Sequence, residues 1–171
     1  LISQHADSMG APTACETAGV PDVSYNGSTA AACPNTFIVS SRINWAPYFK
    51  YAISCVANGT PIDTDWCGNL ENGAVELTEL GSAAAEGTQE AIDAAKADLI
   101  AGNVHVFDTT TFTVDGAPLD SYEADIDTDP DYTPDHEVVL DGYFHESDIQ
   151  FRSAPYFNVQ IDGITLLDQA F

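Results

Sequence analysis

Positive charge is nearly missing from this chain. Of 171 residues only four are Lys or Arg, against 27 Asp and Glu, and the formal net charge at pH 7 is −23. That balance excludes capture of nucleic acid or of an anionic lipid surface by the chain as a whole, because both need a basic face. It also disfavours an anionic ligand unless one of the few cations sits in the site. Long apolar runs are lacking too, and none approaches the roughly 18–20 residues that a membrane helix needs. What is present is enough for a core: 44% of residues are hydrophobic and 10% aromatic, unlike a disordered tail. The acidity fits a protein working in high salt, where screening relieves repulsion among surface carboxylates. It equally fits an acidic secreted protein with no salt requirement, and stability measured against salt separates the two.

Cysteine and histidine are sparse and badly spaced for metal. Cys15, Cys33, Cys55 and Cys67 contain no CxxC pair, which argues against a zinc site. An even count allows three disulfide pairings; Cys15–Cys33 and Cys55–Cys67 close the shortest loops, with buried free thiols as the alternative. His5, His105, His136 and His145 are scattered, with no HExxH, so neither metal nor cofactor is expected. Asp125, Asp127, Asp129 and Asp131 alternate as in a calcium loop. The EF-hand pattern requires Gly sixth and an acid twelfth, and Pro130 and His136 stand there. A non-EF calcium site and a solvated acidic loop remain. Gly142 to Ser147 holds His, Glu and Ser, but there is no GxSxG elbow and neighbours on a strand point to opposite faces. Catalysis has little to stand on.

Strands and helices alternate in the first half. Leu1-Ile2 reads as the end of a strand whose beginning is missing, so a longer parent chain with an export signal upstream is expected. A short helix over Ala11–Ala18 stops at Gly19, and Val20–Tyr25 and Thr36–Ser40 read as strands, the second apolar enough to be covered on both faces. Asn44 caps a helix from about Trp45 to Asn58 that stops at Gly59. Gly73–Leu77 is a further strand. Ser82–Ala101 is the most Ala- and Glu-rich helix, with Gly102 as its stop. Val104–Phe107 reads as a strand, and Asp115-Gly116 as the turn of a hairpin between Thr110–Val114 and Ala117–Leu119. Asp120–His136 reads as an exposed acidic loop, and Glu137–Leu140 and Asn158–Leu167 as closing strands. The pattern predicts an α/β fold with a mostly parallel central sheet. It divides into a lobe over residues 1–119, the loop over 120–136, and a β-rich segment over 137–171 that packs on the lobe or on a missing partner lobe.

In such sheets ligands bind beyond the carboxyl ends of the strands. Three polar segments are expected there: Gln4-His5-Ala6-Asp7-Ser8, Tyr25-Asn26-Gly27-Ser28 and Ser40-Ser41-Arg42-Ile43-Asn44-Trp45. Ordinary capping and turn formation accounts for each singly; their convergence on one edge points to a ligand. Trp45 opens a helix among polar neighbours and offers an indole face. Trp66, Tyr143, Phe144, Phe151, Tyr156 and Phe157 read as core or contact residues.

Gln4-His5-Ala6-Asp7-Ser8, Ser41-Arg42-Ile43-Asn44-Trp45-Ala46-Pro47-Tyr48-Phe49, Asp65-Trp66-Cys67-Gly68-Asn69-Leu70-Glu71-Asn72-Gly73-Ala74-Val75 and His105-Val106-Phe107-Asp108-Thr109 occur in that order. Together they resemble the C-terminal half of the basic membrane protein (BMP, Med or PnrA-like) family of substrate-binding lipoproteins, and Asp141–Ser147 with Ser153–Phe157 resemble the tail of one subgroup. The resemblance implies one lobe of a type I periplasmic-binding-protein fold serving an ABC importer. It implies a periplasmic or extracellular place, a lipid anchor through an N-terminal segment, a permease partner and no catalysis. Family members bind purine nucleosides or bases between two lobes, so His5, Asp7, Ser8, Asn26, Ser28, Asn44 and Trp45 are expected to face the cleft. Asn26 stands where many members place the Asp that holds ribose hydroxyls, and Asn44 near a Lys of nucleoside binders. Both departures leave a purine base or another neutral polar solute open. The alternatives are a ligand-sensing domain of a non-transport receptor, a secreted hydrolase, and an acidic structural protein.

Overall fold

The computed structural model describes residues 1–126, 131, 133–134, 136–145 and 159–166. The chain forms two compact units, Leu1–Ala101 and Gly102–Phe171, so the Asp115-Gly116 hairpin belongs to the second unit, not to the first as the sequence reading grouped it.

The first unit is mixed α/β. It runs β1 (Ile2–Ser3), α1 (Gly10–Ala18), β2 (Asp22–Tyr25), β3 (Phe37–Ile43), α2 (Ala46–Asn58), β4 (Val75–Leu77) and α3 (Thr88–Ile100). The sheet order is β1-β2-β3-β4. β1 pairs parallel with β2 and β2 with β3, whereas β4 runs antiparallel to β3 with Ile43 opposite Val75. The expected parallel centre is therefore present, closed on one side by an antiparallel edge strand. Phe37, Val39, Cys15, Cys33, Cys55 and Ala74 are buried. Gly19 and Gly59 end α1 and α2 in the left-handed conformation, as their sequence positions predict.

The third helix starts at Thr88, not at Ser82, and no residue of it is buried. Backbone chemistry upstream explains the late start. The Gly81 N–H donates to the Ile38 carbonyl at 2.7 Å, the Ala83 N–H to that of Phe37, and the Ser82 hydroxyl to that of Pro34. These bonds draw residues 81–83 onto the entry of β3. A Cβ at Gly81 would lie 2.2 Å from the Phe37 carbonyl oxygen, so only glycine permits that approach.

The second unit is built of two-residue strands. β5 (Thr113–Val114) and β6 (Ala117–Pro118) form the predicted hairpin. Asp115 and Gly116 both have positive φ, the geometry that matches strand twist in a two-residue turn. β7 (Glu123–Ala124) pairs with β8 (His136–Glu137), and β9 (Val139–Leu140) with β10 (Tyr143–Phe144). Ala124, Ile126, Val138, Val139 and Phe144 form its core.

Three expectations fail here. Residues 120–126 are not an exposed loop, because Tyr122, Ala124 and Ile126 alternate inward while acids occupy the intervening places. Val104–Phe107 is not a strand; only an isolated bridge joins Asp108 to Tyr143. Residues 159–166 contain no strand, and Asp162-Gly163 turns instead, with Gly163 at positive φ. Asp127, Asp129, Pro130, Glu146, Ser147, Phe151 and Ser153–Phe157 lie outside the described residues.

Candidate functional site

Because β1, β2 and β3 are adjacent and parallel, their carboxyl ends lie on one edge of the sheet. The segments 4–8, 26–28 and 44–45 all leave from that edge. His5, Asp7, Ser8, Asn26, Ser28 and Trp45 are exposed there and Asn44 is half-buried. The imidazole of His5 stacks on Tyr25 with centroids 4.2 Å apart and planes 25° apart, joining the first two segments through their aromatic rings. The amide N–H of Gln4 donates to the Val23 carbonyl and its side chain to that of Ser8, so the first segment is tied at its root and left open at Asp7.

Asn44 is occupied by structural work. The N-cap position of α2 is Trp45 rather than the expected Asn44, which lies one residue earlier; Asn44 Oδ1 accepts the N–H of Ala46, the first helical residue, at 3.1 Å, and its Nδ2 donates to the Gly73 carbonyl at 3.1 Å. Trp45 is 58% exposed and adjoins Tyr48 edge-on and Phe49 at a tilt. Tyr48 and Tyr51 both pack on Trp66. The Tyr51 hydroxyl donates to Asp63 at 2.5 Å and accepts the Asp63 N–H at 2.9 Å. The adjacent carboxylate holds the phenolic proton, and the Tyr51 pKa is pushed up to about 12. The result is an aromatic cluster of Trp45, Tyr48, Phe49, Tyr51 and Trp66 at the start of α2, with the indole of Trp45 largely exposed.

A fourth segment reaches this edge that sequence reasoning did not place there. Antiparallel β4 begins where β3 ends, so the loop before it arrives beside Asn44, whose N–H donates to the Ala74 carbonyl at 2.7 Å. Asn69 and Asn72 exchange side-chain-to-backbone bonds at 2.9 and 3.0 Å and shape that loop. The only available signal was the Asn-rich turn chemistry of Asn69-Leu70-Glu71-Asn72-Gly73. Arg42, next to the edge, donates its Nε to Glu76 at 2.5 Å and forms an ion pair with it.

The expected disulfides Cys15–Cys33 and Cys55–Cys67 are not formed. Cys33 donates to the Thr29 carbonyl at 3.3 Å and Cys67 lies 3.8 Å from that of Gly68. Burial, then the proximity of Asp22 and Cys33, pushes the Cys15 thiol up, which favours the protonated form. Among the described residues no cluster of three His, Cys, Asp or Glu is arranged to hold a metal ion, and no helix is long and apolar enough to cross a membrane. His105 and His145 do not approach a metal geometry but stack on Tyr143, at 3.5 and 4.0 Å between centroids. No protein-family model and no curated protein matches this chain.

Proposed function

We propose that this chain is a ligand-binding lobe of the type I periplasmic-binding-protein kind, the solute-binding component of an ABC importer outside the cytoplasm. Its ligand is a nucleoside, a purine base or a similar flat, polar, uncharged solute. The observation that supports the reading is the common edge: three adjacent parallel strands end on one side of the sheet, with His5, Asp7 and Ser8, then Asn26 and Ser28, then Trp45 following them in exposed positions. The exposed indole supplies a stacking platform, worth roughly 1–3 kcal/mol for a heteroaromatic ring. Asn26, Ser28 and Ser8 supply short donors and acceptors for a ring edge or sugar hydroxyls, and an unmatched buried partner costs a wrong ligand about as much. Arg42 is neutralised by Glu76, which favours an uncharged ligand over a phosphorylated one. The role is recognition without bond-making.

These six residues form one wall, so the 171-residue chain alone binds weakly, with Kd on the order of 1 mM or above. Titration with adenosine, adenine and guanosine, followed by amide and indole NMR shifts, tests this. Saturable shifts confined to His5, Asn26, Ser28 and Trp45 are the expected result. Shifts confined to other faces, no shifts at the solubility limit, or submicromolar affinity would overturn it.

A further inference from the structure

Beneath the mouth, Asp22 is completely buried at the start of β2. Its Oδ2 accepts the Ser24 hydroxyl at 2.5 Å and the Thr29 hydroxyl at 3.3 Å, with the Cys33 thiol 3.8 Å away. Its Oδ1 has no partner at hydrogen-bond geometry, while the Cys15 thiol interacts with the same carboxyl group. Burying a carboxyl group with an oxygen unsatisfied is costly, and an apolar side chain at such a site is commonly neutral or stabilising. Folding alone does not account for it.

The geometry around the second segment does. Ser24 and Thr29 straddle the turn, and their hydroxyls meet 2.5 Å apart, closing the base of the turn around Asp22. The crown is pinned where the Gly27 N–H reaches the Ser40 hydroxyl at 3.4 Å, and Ala30 N–H reaches Ser28 Oγ at 3.3 Å. Asn26 is held at φ 63°, a conformation that a free turn of this kind leaves readily. Asn26 and Ser28 are exposed above this clasp.

We infer that Asp22, acting through Ser24 and Thr29, is a positioning residue that fixes Asn26 and Ser28 in the pose they present to a ligand. The inference deepens the proposed function and rests on it for the ligand, but not for the turn. It assigns the buried carboxyl to site geometry rather than to core stability.

Hydrogen exchange in the full 171-residue chain tests the turn without any ligand. In Asp22→Asn and in Thr29→Val, the Gly27 and Ala30 amides are expected to exchange about tenfold faster. The amides of Val39 and Ser41 on β3 should keep their protection, and Thr29→Ser should restore the turn. Unchanged Gly27 exchange in both variants overturns the inference. So does loss of protection that spreads equally to Val39 and Ser41, which would mark a purely structural role. If Asp22→Asn fails to fold, the Thr29→Val and Thr29→Ser pair decides. A parallel titration with adenosine reads the other question. Shifts at Asn26 and Ser28 should shrink in Thr29→Val and return in Thr29→Ser while the Trp45 indole still responds. Absence of any shift in the unaltered chain, with the exchange result intact, defeats the ligand reading and leaves Asp22 as the organiser of the turn.

Discussion

In the first unit five polar side chains, Asp22, Ser24, Thr29, Thr36 and Ser40, lie buried beside the sheet; in the second, the buried set among the described residues is Ala124, Ile126, Val138, Val139 and Phe144 with Thr109 as its polar member. The second unit places its strong polar bonds around the core, on carboxylates. Glu137 accepts from the Ser121 hydroxyl, the Tyr122 N–H at 2.8 Å and the Val139 N–H at 2.9 Å. Asp162 accepts from the Thr113 hydroxyl and the Gly116 N–H, and Asp108 from Thr110. Two-residue strands offer too few ladder bonds to hold themselves, so side-chain acceptors take over the task. The contrast shows two uses of the same acidic composition: one buried carboxyl shaping a turn, several partly exposed ones stapling short strands.

The largest effects should come from the cores. Phe37→Ala in the first unit and Phe144→Ala in the second are each expected to cost about 3–5 kcal/mol. Both tryptophans, Trp45 and Trp66, lie in the first unit. Phe37→Ala should therefore lower the unfolding midpoint seen by tryptophan fluorescence, while Phe144→Ala shows mainly in far-UV circular dichroism. Equal fluorescence shifts in the two variants would erase the distinction between the units. Next comes Gly81→Ala, expected to cost roughly 1–3 kcal/mol because the added methyl collides with backbone. Chemical denaturation measures it.

Acid should reach the second unit through its staples. Partial burial works against the charge of Glu137, but the Ser121 hydroxyl and the N–H groups of Tyr122, Val139 and Val138 outweigh it and hold the pKa below the ordinary value. A carboxyl depressed in the folded state contributes stability above its unfolded pKa, near 4.5, and that contribution is lost as pH falls through the folded value. Relief of the chain's self-repulsion runs the opposite way over the same range, so the comparison must be between variants. Glu137→Gln is expected to be less stable than the unaltered chain at pH 7 and to converge with it as pH drops below 4 in thermal melts. A constant gap across that range would remove Glu137 as a staple. The smallest effect belongs to α2. Ile53 and Val56 are 68% and 73% exposed, so Ile53→Gln should change stability by less than about 0.5 kcal/mol by denaturant titration.

Much of the first unit was legible because its signals are local. Gly19 and Gly59 each act through their own backbone and stand where the sequence puts them, and the same holds for the Asp115-Gly116 turn in the second unit. The start of α3 was hidden because Ala-rich propensity over residues 82–87 yields to bonds with β3, a partner far away in sequence. The alternation Tyr122, Ala124, Ile126 was masked by the acids between them. Leu140-Asp141-Gly142-Tyr143 carries the same turn chemistry as Asp115-Gly116, with Asp141 and Gly142 both at positive φ; Glu137–Leu140 was read as a strand, but the returning Tyr143-Phe144 was not. At the mouth, the residues of the three strand ends were legible from the rule for parallel sheets. The Asp22 clasp was not, since a single Asp in a strand reads as solvent-facing until the hydroxyls that surround it are in place.

The reversal of β4 carries an architectural consequence. Had the fourth strand run parallel, the loop between Gly59 and Ala74 would have finished at the far rim, remote from Asn44. Running backward, it delivers a self-bracing asparagine pair to the edge where β1, β2 and β3 end. Insertions or exchanges in that loop can thus remodel one border of this edge while the strand ends carrying His5, Asn26 and Trp45 keep their spacing; under the proposed function, that is where selectivity would diverge.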